Sequence, residues 1–113
     1  MGRRRTAARK LVLEGRATAT LTTPRDPVDA LVERARRLWV RGESHRALTL
    51  LREACHHDEW RARTWTIFAA RLTEVGLREE AAQAFNRARW LRRREGDGAR
   101  VAVIDRLVAR AAA

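Results

Sequence analysis

The sequence repeats itself at a fixed interval of 34 residues between positions 28 and 95. The matching pairs combine small with large apolar residues: Leu31/Trp65, Ala35/Ala69, Leu38/Leu72, Gly42/Gly76, Ala47/Ala81, Leu51/Phe85 and Ala54/Ala88. A period between 20 and 50 residues is typical of stacked repeats, and 34 residues fit one helix–turn–helix unit. The chain is therefore predicted to be an all-α protein built on two helical hairpins.

Apolar residues at spacings of three and four predict about five amphipathic helices. We place them over residues 27–40, 45–57, 62–75, 78–94 and 99–111. Asp26 suits the N-cap of the first helix, where Pro27 follows, and Ser44 suits the N-cap of the second. Gly42 and Gly76 are expected to end the first and third helices in the left-handed conformation.

The first 26 residues differ in character and are predicted to form a basic, extended N-terminal arm. Its cations are Arg3, Arg4, Arg5, Arg9 and Lys10. Alternating threonines from position 18 to 23 favour an extended strand. Two interpretations stay open: a flexible tail that packs weakly on the helices, or a segment that orders along a partner's sheet edge or groove.

The repeats resemble the tetratricopeptide repeat (TPR) family. In the second repeat Trp65, Phe68, Ala69 and Leu72 match the family's first-helix positions, Gly76 its turn, and Ala81, Phe85 and Ala88 its second-helix positions. The first repeat matches less fully, because Arg34 replaces a large apolar residue. Glu59 and Arg93 stand where the family has proline at each repeat end. The resemblance implies a right-handed solenoid fragment over residues 27–113, with repeats at 28–61 and 62–95 and a capping helix at 99–111.

The same resemblance implies a partner-binding groove lined by the first helix of each repeat. Its expected residues are Val32, Arg36, Trp39, Val40, Arg63, Thr66 and Ile67. TPR arrays typically bind peptides or helices there, so the leading hypothesis is a protein-interaction module: an adaptor, scaffold or accessory subunit. A two-repeat array also leaves an open end, so a second copy of the chain is a further possible partner.

The charge supports a different hypothesis. The net charge of the 113-residue chain is +11, and most of the excess lies in residues 1–27 and 62–95. The second segment ends in a basic patch that contains Arg87, Arg92, Arg93 and Arg94. Together with the arm, this patch would hold nucleic-acid phosphates without reading sequence. Two structural interpretations remain open beside it: arginines that stabilise a helix C-terminus, and a bias in coding composition.

Nothing in the sequence indicates catalysis, a cofactor or a metal site. It contains neither a glycine-rich phosphate loop nor a nucleophile elbow. Cys55, His56, His57 and Asp58 are adjacent on a helix, where neighbouring side chains diverge by about 100° and so cannot meet at one ion. No run of 18 apolar residues is present, and we expect a cytoplasmic protein.

Overall fold

The computed structural model describes residues 26–113, and all regular structure within that range is α-helical. The helices are α1 (Pro27–Val40), α2 (Ser44–His57), α3 (Ala62–Glu74), α4 (Arg78–Arg94) and α5 (Gly98–Ala112). The all-α prediction is thus confirmed for this range. Each predicted helix boundary lies within one residue of the observed one. The predicted N-terminal arm lies almost entirely in residues 1–25, outside the described part.

Helix α1 begins as its sequence predicts. The Asp26 carboxylate accepts hydrogen bonds from the backbone N–H of Val28 at 2.8 Å and of Asp29 at 3.4 Å. Such a cap satisfies N–H groups that have no partner within the first helical turn. The prediction for α2 was wrong in detail, because Ser44 is already helical. Glu43 holds the N-cap position there, and its side chain makes no capping hydrogen bond.

The end of the first helix in each hairpin shows the 34-residue repeat in the backbone itself. Gly42 has φ +83° and Gly76 has φ +84°. At the first turn Gly42 N–H donates to Trp39 O at 3.0 Å and Glu43 N–H to Leu38 O at 2.9 Å. The equivalent two bonds in the second turn measure 3.1 and 3.0 Å. Both turns are therefore the same glycine-ended helix stop.

The buried side chains follow the same period. Five of the matching pairs are buried at both positions: Ala35/Ala69, Leu38/Leu72, Ala47/Ala81, Leu51/Phe85 and Ala54/Ala88. Connections of three or four residues between successive helices favour antiparallel packing. Alanine at facing positions lets the helices approach, while leucine and phenylalanine fill the remaining space.

Helix α3 is the central element of residues 31–113, which form one compact unit. It packs against α2, α4 and α5. Its Phe68, Ala69 and Leu72 belong to the same buried cluster as Ile104 of α5. No helix in residues 26–113 has both the length and the apolar composition needed to cross a bilayer.

Candidate interaction surfaces

A cleft of about 230 Å³ lies between α1 and α3, and we call it the α1/α3 cleft. Its lining comes mainly from these two helices: Val32, Glu33, Ala35, Arg36, Trp39, Leu51, Arg63, Ile67 and Arg71. Most residues of the predicted groove are therefore brought together. Val40 and Thr66 are not part of this lining. Val40 is 74% exposed, and the Thr66 hydroxyl donates to Ala62 O within its own helix.

The cleft has an apolar floor and a charged rim. Val32, Trp39 and Ile67 are half-buried and pack against the core. The Arg71 guanidinium stacks over the Trp39 ring, 4.4 Å from its centroid. This contact holds the indole in place from the opposite helix and covers one of its faces.

The rim charges differ in how far they are neutralised. Arg36 pairs with Glu33 at 2.6 Å, and Arg37 reaches the same carboxylate at 3.3 Å. The hydrogen bond from Arg36 is the main reason that the pKa of Glu33 lies below its usual value. Arg63 is exposed, and within residues 26–113 no carboxylate pairs with it. The rim therefore offers one uncompensated cation to a ligand.

A second surface is built from two tryptophans and two arginines, and we call it the Trp60–Trp90 cluster. Trp60 lies in the turn between α2 and α3, and Trp90 lies in α4. Their ring centroids are 5.9 Å apart, with an interplanar angle of 41°. Arg87 and Arg94 flank the pair on α4. Each guanidinium lies 5.0–5.2 Å from both ring centroids.

Hydrogen bonds fix the turn that carries Trp60. The carbonyl oxygen of Glu59 accepts from Trp65 Nε1 at 3.0 Å and from the Arg87 guanidinium at 3.0 Å. The Asp58 carboxylate accepts from the backbone N–H of Trp60 at 3.1 Å and from Arg61 at 3.2 Å. The turn is thus held both to α3 and to α4, so the indole of Trp60 has a defined place beside Trp90.

The predicted basic patch divides into two groups in the structure. Arg92 pairs with Glu95 at 3.1 Å, and the neighbouring Arg89 pairs with Asp105 of α5 at 2.7 Å. Arg87, Arg93 and Arg94 pair with no carboxylate of residues 26–113. The basic residues of the arm lie outside the described residues, so the structure places none of them beside the patch.

Cys55 is fully buried in the core, and burial raises the pKa of its thiol to about 12. Its neighbours His56 and His57 are exposed. Nowhere in residues 26–113 do three histidine, cysteine or carboxylate side chains come together as a metal site would require. Cys55 also borders a cleft of about 400 Å³ between α2, α3 and α4, across which Arg52 bonds Glu80 at 2.9 and 3.0 Å.

Sequence reasoning missed Trp60. Nothing in the repeat pattern singles it out, because no aromatic residue lies 34 positions before or after it. Its closeness to Trp90 depends on how the α2–α3 turn sits against α4. The sequence signal was only that Trp90 is surrounded by arginines, without a second indole to complete the surface.

No known protein family, curated protein or solved structure matches the chain.

Proposed function

We propose that this chain is a non-catalytic, TPR-like protein-interaction module, an adaptor or accessory subunit, that holds its partner in the α1/α3 cleft. The observation that carries the proposal is the meeting of Val32, Trp39, Ile67 and Arg63 in one cleft. The 34-residue period of the buried positions and of the glycine turns supports the TPR-like arrangement.

The cleft favours a partner segment with an apolar anchor and acidic neighbours. The half-buried Val32 and Ile67 offer apolar surface beside the Trp39 indole, which suits an aliphatic or aromatic side chain. Arg63 at the rim has no carboxylate partner among the described residues, so an acidic group of the ligand would complete it. An amphipathic helix or a short extended peptide would present both features on one side.

Affinity capture with matched charge variants tests the proposal. The full chain, tagged at its C-terminus, is incubated with nuclease-treated lysate of the source cells. Arg63→Glu reverses the cleft charge, while Arg106→Glu makes the same change on an exposed position of α5. We expect a protein that is retained by the wild type and by Arg106→Glu but lost with Arg63→Glu.

A second variant addresses the apolar floor. Ile67→Ser removes apolar surface from the cleft and should weaken the same partner, with circular dichroism confirming that the helices remain. If every captured protein is retained equally by wild type, Arg63→Glu and Ile67→Ser, the cleft is not the binding surface and the proposal fails.

A further inference from the structure

We propose that the Trp60–Trp90 cluster binds single-stranded nucleic acid, with bases stacking on the indoles and phosphates contacting Arg87, Arg93 and Arg94. This inference uses the α2–α3 turn and α4 instead of the α1/α3 cleft. It is therefore independent of the proposed function, and either can fail alone.

The first observation is the exposure of two large aromatic rings at one place. Trp60 is 58% exposed and Trp90 is 45% exposed, although indoles are usually well covered in folded domains. Since the ring planes are tilted by 41°, the two indoles do not cover each other as parallel rings would. They leave apolar faces on which further planar groups can stack. Stacking between a base and an aromatic side chain tolerates any base, because every base has a π face.

The second observation is uncompensated positive charge at the same place. Arg87, Trp90 and Arg94 follow one another at offsets of three and four, so they share one face of α4. The two arginines stand about 10.5 Å apart along the helix axis, which places a cation on each side of the indole. Their neighbours Arg89 and Arg92 are already neutralised by Asp105 and Glu95. The cations that remain are those around the tryptophans.

The third observation is preorganisation. The Arg87 guanidinium makes its hydrogen bonds to the Glu59 carbonyl oxygen, a neutral acceptor, and keeps its full positive charge. The same bonds hold the turn that carries Trp60. A ligand therefore meets two aromatic rings and two cations that are already in place, so little side-chain entropy is lost on binding.

These features together favour a single strand over other anions. In a duplex the base faces are stacked inside, so the indoles would have no partner, whereas unpaired bases can stack on aromatic side chains. An acidic peptide would satisfy the arginines but would leave both indole faces without a matching planar group. A ligand that alternates planar faces with anionic groups uses the whole surface.

Fluorescence anisotropy on the full chain tests the inference. The probes are a labelled oligothymidylate of about 10 nucleotides, an oligouridylate of the same length, a duplex of the same length and a labelled oligoglutamate. We expect both single strands to bind at least about three-fold more tightly than the duplex and the peptide. The basic arm contributes to all four, so the variants decide where binding occurs.

Two double variants and a matched control locate the site. Arg87→Gln/Arg94→Gln should lower single-strand affinity about ten-fold and reduce the salt slope by about 1.4, since each phosphate contact contributes roughly 0.7. Arg106→Gln/Arg110→Gln removes equal charge from exposed positions of α5 and should change neither by comparable amounts. Trp60→Leu/Trp90→Leu should also weaken binding about ten-fold, and Trp60→Phe/Trp90→Phe should restore part of it.

Several results would overturn the inference. Equal losses from the two arginine pairs would show general electrostatic attraction. An unchanged affinity for Trp60→Leu/Trp90→Leu, with the melting temperature intact, would remove the stacking role. Tighter binding of the duplex or of oligoglutamate than of the single strands would assign the surface to a different ligand. Arg94→Gln alone, which removes no hydrogen bond of the turn, guards against a loss caused by unfolding.

Discussion

Replacing Ala69 by leucine tests whether the small residues of the repeat are required for close helix packing. Ala69 lies in α3, is 0% exposed and belongs to the central cluster that also contains Leu72 and Phe85. Leucine adds three heavy atoms where neighbouring side chains already fill the space. Overpacking of this kind costs about 1–3 kcal/mol. For a domain of this size each kcal/mol lowers Tm by about 4–8 °C, so we expect a fall of roughly 5–20 °C.

The repeat supplies a graded comparison. Ala35 is the equivalent residue 34 positions earlier, and it is equally buried but borders the α1/α3 cleft. The added atoms of Ala35→Leu can extend into that cleft, so its cost should be about 1 kcal/mol or less. Ala102→Leu adds the same atoms at an exposed position of α5 and should stay within about 0.5 kcal/mol of wild type.

Thermal unfolding followed by far-ultraviolet circular dichroism measures all three variants. The expected order of melting temperatures is Ala102→Leu highest, Ala35→Leu intermediate and Ala69→Leu lowest. If Ala69→Leu melts with Ala102→Leu, position 69 has free space beside it and the close-packing argument is refuted. If Ala35→Leu falls as far as Ala69→Leu, the cleft offers no room and its description here is wrong.

Three further predictions concern single residues. Gly76→Ala should destabilise the chain by about 1–2 kcal/mol in urea unfolding because φ is +84°, whereas Gly98→Ala, at the helical start of α5, should be neutral or stabilising; equal effects would contradict the assignment of strain to the backbone alone. The pKa of Asp97 is lowered mainly by the hydrogen bond from Arg100 N–H, so its carboxylate stabilises α5 above the unfolded pKa of about 3.9 and loses this effect as pH falls through the folded value; Asp97→Asn should lower Tm at pH 7 and match wild type in strong acid, and a gap that persists there would argue against the charge. Cys55, whose pKa is raised to about 12 by burial, should resist iodoacetamide at pH 8 until the chain is unfolded in guanidinium, and rapid alkylation of the native protein would show that the core opens readily.

The helices could be predicted well from the sequence because their ends depend on local chemistry. Asp26 caps α1 through its own carboxylate, and Gly42 and Gly76 supply the left-handed φ that stops a helix. Ser44 was misassigned because the turn that Gly42 opens already returns to helix one residue earlier than a serine cap would require. The hydrogen bond of Glu43 N–H to Leu38 O closes that turn, so Ser44 enters the helix proper.

The candidate surfaces were harder to predict because they depend on packing between helices. The repeat register correctly indicated which face of α1 and α3 to examine, but it could not show that Arg71 crosses to cover Trp39. The sequence of the basic patch could not show which arginines keep their charge. That depends on Asp105, which lies in a different helix and neutralises Arg89.

The distribution of the arginines explains why two separate surfaces stand out on a chain with so much positive charge. Most arginines of residues 26–113 are held by carboxylates three or four positions away or on an adjacent helix, as Arg36 is by Glu33 and Arg52 by Glu80. Exposed pairs of this kind contribute little stability, and they remove charge from the surface locally. Cations without such partners remain at Arg63 beside the cleft and at Arg87 and Arg94 beside the tryptophans. At both places the free charge adjoins exposed or half-buried indole surface, the combination that supplies energy and direction to a ligand contact.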